Sequence, residues 1–283
     1  MQNQPQFRKK GSFRIAKAKV IAMFLEKTAG GVRYLYSTLL DCPHAFSTKE
    51  GGVSTLPHLQ SMNLGENRGD APENVQKNFL LLESAAGLPS NRVGGAQIHS
   101  ATVLYAEKPF EARPECDGFF TDQKNLTLYV KIADCIPILL YAPDAGAVAA
   151  LHAGWRGSAA DIAGVGVKKL QSLGADPKNI RAAIGVGICP ACYEVGQELV
   201  DAFTASIGKD CLAFFSHDPL NHRIFADLKG INRYLLLRAG VREEHIDVCP
   251  RCTCHESHLF FSHRATKGLR GTMAAGIALP AKQ

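Results

Sequence analysis

The sequence predicts a single mixed α/β domain, and three observations carry that reading. Short apolar or β-branched runs alternate along the 283 residues with amphipathic stretches of helical period. Glycines close the helical stretches at Gly87, Gly174, Gly208 and Gly240. No internal repeat, low-complexity block or Pro/Gly/Ser-rich linker divides the chain.

In chain order, residues 1–30 read as a basic, disordered extension, and 31–283 as the folded domain. The formal charge of +6 concentrates in residues 1–33, where Arg8, Lys9, Lys10, Arg14, Lys17, Lys19, Lys27 and Arg33 face only Glu26; the rest is near −1. A basic tail on a near-neutral body is a solvated extension rather than a nucleic-acid surface, so no nucleic-acid partner is expected. Phe13 to Leu25 is broken by Arg14, Lys17 and Lys19, and no run approaches a membrane span. Nine cysteines without a recognisable leader fit free thiols in a reducing compartment, so the expected location is the cytoplasm.

Val32–Tyr36 and Cys42–Thr48 are expected strands, with a turn at Gly51-Gly52. Asp70 or Ala71 caps a helix that has proline in its first turn and apolar Val75, Phe79 and Leu82 on one face; it ends near Gly87. Gly94 to His99 reads as a short strand, followed by Thr102–Tyr105 and a loop-to-strand passage at Cys116–Phe120. Ser158–Leu173 reads as a helix, Ile180–Gly187 as a strand, and Tyr193–Ile207 and Asp227–Ala239 as helices. Ile246–Val248 and Leu259–Phe261 are expected terminal strands.

Val130 to Gly157 carries the chemistry. An apolar run ends in Ala133-Asp134-Cys135, a second runs from Ile136 to Tyr141, and Pro143-Asp144-Ala145-Gly146 makes the turn. A third run then delivers His152. With the turn centred between Pro143 and Asp144, Cys135 is expected directly opposite His152 on one face, Cβ atoms roughly 4.5–5.5 Å apart. Such a pair either shares a metal ion or acts as nucleophile and base. Asp134, an ionisable residue between apolar runs, is costly unless it is used. Trp155 and Arg156 offer stacking and anion binding. The pairs Cys189/Cys192 and Cys249/Cys252 are farther apart in sequence than a zinc ribbon needs, though distant pairs can meet in space; a structural zinc or redox site built from them is the alternative, and scattered buried thiols are the preferred reading.

The residues resemble the YfiH-type family, also called the polyphenol oxidase or laccase-domain family. The segments that carry the resemblance are His44-Ala-Phe-Ser-Thr-Lys-Glu-Gly-Gly-Val-Ser54, Met62-Asn-Leu-Gly65, Gly69-Asp-Ala-Pro-Glu-Asn74, Gln97-Ile-His99, Ala133-Asp-Cys-Ile-Pro137, Ala150-Leu-His-Ala-Gly-Trp-Arg-Gly157, Tyr193-Glu-Val-Gly196, Cys252-Thr253 and Phe260-Phe-Ser-His-Arg264. The resemblance implies four layers, α/β/β/α, with largely antiparallel sheets, and a zinc ion held by His99, Cys135 and His152. It further implies phosphorolysis of adenosine, inosine and methylthioadenosine, with deamination of adenosine. Zinc is the expected cofactor, with copper as an in vitro alternative; purine nucleosides and phosphate are the expected partners of a monomer or homodimer. Lys49, Asn63, Arg156 and Arg264 are the candidate phosphate and ribose contacts, and Asp134 the candidate for proton transfer or support of the metal ligands.

The sequence departs from the family pattern at Lys49, where arginine is usual, at Phe79, at Ile132, at Cys116-Asp117-Gly118 and at Arg270-Gly271-Thr272-Met273. Two other readings stand beside the leading one: a Cys135–His152 hydrolase acting on peptidoglycan precursors, and a copper polyphenol oxidase. One cysteine with two histidines is a small set for multicopper chemistry.

Overall fold

The computed structural model describes residues 23–280. Two six-stranded sheets pack face to face. The first runs β1 (Phe24–Ala29), β2 (Val32–Ser37), β3 (His44–Ser47), β15 (Met273–Ala278), β7 (Thr127–Ile132), β4 (Arg92–Val93), labels following chain order. It is antiparallel except where β4 joins β7. The second runs β14 (Ile246–Val248), β10 (Arg181–Ile184), β8 (Ile136–Ala142), β9 (Ala147–Ala153), β6 (Gly118–Thr121), β5 (Val103–Tyr105), parallel only at its two edges. A small antiparallel sheet of β11 (Glu194–Val195), β13 (Ile224–Ala226) and β12 (Phe215–His217) sits apart.

Helices close both outer faces, which makes the four layers α/β/β/α. On the first sheet, α1 (Pro72–Ala86) buries Val75, Phe79 and Leu82 against Tyr34, Ala45 and Tyr129. After the short α2 (Trp155–Ala159), α3 (Ile162–Gln171) lies on the second sheet. It is followed by α4 (Gln197–Ile207), α5 (Leu228–Arg238) and the single turn α6 (His263–Thr266). Ile162, Val167, Leu170, Ile231 and Leu235 pack on Ile138, Leu140, Ala149 and Leu151. Between the sheets, Phe46, Val130 and Ala275 meet Leu139, Val148 and Ala150. Strands β8 and β9 are covered on both faces, which is why they read as unbroken apolar runs rather than alternating ones. Among the described residues no helix is long and apolar enough to cross a membrane.

Several local expectations give way to the tertiary structure. Residues 24–29, expected in the basic extension, form β1, because Gly30 and Gly31 adopt positive φ and fold it back onto β2; the remainder of that extension, residues 1–22, lies outside the described residues. The helix expected over 158–173 starts earlier and breaks: Asp161 takes a left-handed φ of 57° and its carboxylate accepts the Gly164 N–H, capping α3 anew. The helix expected from Tyr193 begins at Gln197, after the two residues of β11. Leu259–Phe261 forms no strand; its side chains are core plugs instead. No local pattern announces β15 (Met273–Ala278). Its Met-Ala-Ala-Gly-Ile-Ala has little β propensity, yet it is a central strand, and Gly276 is required where the Tyr129 ring lies over the backbone.

Candidate metal centre

The Ala133-Asp134-Cys135 segment is where the chain leaves the first sheet at the end of β7 and enters the second at β8. Asp134 makes that turn with a φ of 91°. The hairpin that follows pairs Ala142 with Ala147 and Pro137 with His152. Its centre therefore lies between Asp144 and Ala145, because all four of Pro143–Gly146 are spent on the turn and Gly146 closes it at positive φ. The expected direct opposition of Cys135 and His152 is off by two residues. A shift of two preserves the face, however, so both side chains still point into the layer between the sheets, at its open end.

His99 arrives from a loop, not the strand expected for residues 94–99. Its own φ is 60°, and the loop is pinned by Gln97, whose side-chain amide donates to the Lys131 carbonyl at 2.8 Å and accepts the Lys131 N–H at 2.7 Å. His99, Cys135 and His152 then bring one ligand atom each to within 4.8 Å of one another. The His99 Nε2 to Cys135 Sγ distance is 3.9 Å, and the two imidazoles meet edge to face. The small residues after His152 make this approach feasible. A Cβ at Gly154 would sit 2.7 Å from His99 Cδ2, and one at Gly157 would sit 2.7 Å from the Ser100 carbonyl.

Asp117 organises the set, and the sequence reading gave it no role. It is fully buried and accepts the backbone N–H groups of Ile98, His99 and Ser100, the Ser100 hydroxyl, and His152 Nδ1 at 2.8 Å. One carboxylate thus fixes the His99 loop and the His152 ring together. Because His152 Nδ1 is engaged, Nε2 is the nitrogen left to face Cys135. Burial alone would raise the Asp117 carboxyl, but the His152 and Ser100 donors bring it down to about 2. Burial also pushes the Cys135 thiol up. The opposing pull of His152, reinforced by His99, wins and sets it at about 6, while His152 rises to about 9. The pair is therefore a thiolate beside an imidazolium, the protonation state from which a metal displaces one proton. The donor set, its convergence and its carboxylate-bonded histidine fit a divalent metal with an open fourth position.

The cavity around these ligands measures about 380 Å³ and is lined by Glu66, Arg68, Arg113, Lys131 and Arg270. A larger cleft of about 810 Å³ adjoins it through Glu66, Arg113 and Lys131, and holds none of the three ligands. Arg270 is notable within the cavity wall: its Nε is buried without a hydrogen-bond partner among the described residues, and burial followed by the nearby Arg68 lowers its guanidinium to about 10.

The expected anion contacts are placed differently. Asn63 is fully buried, and both ends of its amide are taken by Gly65, Asp70 and Thr272. The Lys49 ammonium donates to the Ser257 carbonyl at 2.7 Å and lines a separate surface hollow. Arg156 stacks on Trp155 at 4.2 Å. Arg264 bonds the Cys192 and Glu194 carbonyls and lies over Tyr193, whose hydroxyl is pushed well above its ordinary range by burial and then by the charge at Cys135. Asp134 points away from the three ligands, accepting the Thr253 hydroxyl at 2.5 Å and the Arg264 N–H at 2.7 Å.

Comparison with known proteins bears on this site. The chain is 36% identical over 258 residues to a protein of Deinococcus radiodurans named purine nucleoside phosphorylase, covering 90% of this chain and 96% of that one. It is 37% identical over 233 residues to the Escherichia coli protein named purine nucleoside phosphorylase YfiH, covering 82% and 92%. The crystal structure of YlmD from Geobacillus stearothermophilus superimposes with a TM-score of 0.84 at 33% identity, over 92% of this chain and 100% of that one. The Neisseria meningitidis protein NMB0706 gives 0.74 at 32% identity, over 91% and 99%. Residues 43–280 match the family described as multi-copper polyphenol oxidoreductase laccase, and the chain belongs to that family.

Proposed function

We propose that the protein is a zinc-dependent purine nucleoside phosphorylase, cleaving adenosine, inosine and S-methyl-5′-thioadenosine to the free base and the (methylthio)ribose 1-phosphate, with adenosine deamination as a second activity. The observation that carries this reading is the convergence of His99, Cys135 and His152 in a cavity walled by Arg68, Arg113, Lys131 and Arg270. One thiolate and two imidazoles with an open position suit zinc, and the names of the relatives supply the substrate class. When bound there, zinc supplies Lewis acidity at one open position.

The rest is the work of the chain. Asp117 holds the tautomer and orientation of His152. Arg270 and Arg68 hold phosphate, the unpartnered Nε of Arg270 being a donor in want of an anion. Phosphorolysis forms a bond from a phosphate oxygen to C1′ as the C1′–N9 bond breaks, so the arginines contribute by fixing the phosphate in line with that bond. Arg156, stacked on Trp155, and Arg264, bonded to the Cys192 and Glu194 carbonyls, lie outside the cavity lining and act as support around Tyr193. Lys49, Asn63 and Asp134 act as scaffold.

Incubation of the purified full-length protein with adenosine or inosine should release base and ribose 1-phosphate only when phosphate is present, and lose that activity with its zinc. Base release that ignores phosphate would sink the reading. One observation favours a second mechanism: Cys135, His152 and Asp117 also form the relay of a thiol hydrolase. Chelated protein that still cleaved an amide would select it.

A further inference from the structure

The cysteines expected to be scattered are not. Cys189, Cys192, Cys252 and His255 bring their ligand atoms to within 4.8 Å of one another, with Cys189 Sγ 3.6 Å from His255 Nδ1. The pairing differs from the one suggested by sequence: Cys249, just after β14, is buried in the core, and its place is taken by His255. We propose that these four residues form a second, structural zinc site, separate from the one at Cys135.

The local geometry suits it. Cys189-Pro-Ala-Cys192 is a single 3₁₀ turn, and Cys252-Thr-Cys-His255 is a tight turn, so each pair presents two donors from a two-residue loop. The segments are fixed to each other by backbone pairing of Gly187 with Cys252 and by the Thr253 N–H on the Gly187 carbonyl. The Cys189 N–H points at Cys252 Sγ at 3.3 Å, the kind of donor that stabilises a thiolate ligand. All four donors are present, and the described cysteines are all unbridged.

A neighbouring charge supports the assignment independently. Lys229 is 6% exposed, and its ammonium donates to the Cys249 and Arg251 carbonyls, both neutral. A buried cation without a counter-charge is costly. Burial lowers the Lys229 ammonium, and Cys249, Cys252, Cys189 and Asp227 oppose that shift. Three thiolates around a divalent ion carry a net charge of −1, which adds to the side that favours the buried ammonium.

The staple has a target. Thr253, next to Cys252, donates to Asp134, and Arg264 spans from Asp134 to the Cys192 and Glu194 carbonyls. Tying the two turns together therefore fixes the residue preceding Cys135.

Metal analysis of the purified full-length protein should find about two zinc ions per chain, falling to about one when Cys189 and Cys192 are both replaced by serine. Because that variant could fail to fold, cobalt loading of a His99→Ala/Cys135→Ala/His152→Ala chain gives a second readout. It should retain the intense visible absorption of a tetrahedral three-thiolate site, and chelation should expose three additional titratable thiols. A single zinc per wild-type chain that disappears with His99, Cys135 and His152, or a Cys189–Cys192 disulfide in protein isolated under reducing conditions, would overturn the proposal.

Discussion

Cys135 shares its surroundings with two histidines, a buried carboxylate and a cavity walled by arginines; Cys189 shares its own with two cysteines, a histidine and a buried lysine. The first set has three donors and leaves a ligand position open. The second has four and leaves none. The charges around them follow the same division. Arg68 and Arg270 line a cavity that an anion can enter, whereas Lys229 is buried with its ammonium on two carbonyls. Under the two proposals, similar side chains serve reaction in one place and rigidity in the other, and what separates them is coordination number and access.

The sharpest way to break this comparison is to remove one ligand from each set. His152→Ala or Cys135→Ala should abolish phosphate-dependent turnover by about 10³-fold or more while moving Tm by a few degrees. Cys192→Ser should do the opposite, lowering Tm by about 10 °C with a smaller loss of turnover in the fraction that remains folded. Identical profiles for the two variants, measured by calorimetry and base release, would erase the distinction.

Gly154→Ala tests access at the first site alone. The added methyl would meet the His99 ring, so turnover should fall about 10²-fold through displaced geometry while zinc at the second site is unchanged. Asp117→Asn keeps the shape and removes the charge, and should weaken metal binding at the first site by about 10- to 100-fold in a competition titration.

The Asp117 variant also carries a pH signature. Its carboxyl is lowered from an ordinary 3.8 to about 2, so the native state gains stability from it above 3.8 and loses that gain as pH falls through about 2. Acid unfolding of the chelated wild type should show this loss, about 2 kcal/mol, and the Asn variant should not. The smallest expected effect is Arg270→Ala, which should raise KM for phosphate about tenfold and leave KM for the nucleoside nearly unchanged.

Much of this molecule is written locally. Pro72 at the start of α1 and Gly87 in the left-handed conformation at its end bracket the expected helix. The Val130–Gly157 hairpin forms where expected, and its slip by two residues cost no change of face. That hairpin brings Cys135 and His152 together as either metal ligands or nucleophile and base, and the family resemblance carried by Gln97-Ile-His99 implies the metal reading and adds the third residue. What local pattern could not supply are partners far away in sequence. Asp117 lies 35 residues from His152 and looked like an ordinary loop residue, because its importance exists only once five donors have been folded around it.

Consecutive residues alone specify the fold class, the helix ends marked by Gly87 and Gly208, and the face that Cys135 and His152 share. These depend on short-range periodicity and turn chemistry, which a chain carries in consecutive residues. Long-range contacts make Met273–Ala278 a central strand, put Arg270 rather than Lys49 in the cavity wall, and let His255 rather than Cys249 complete the second cluster. Each of those outcomes joins segments tens to hundreds of residues apart. Such contacts are selected by burial and by charge satisfied in three dimensions, and leave no periodic trace in the chain that makes them.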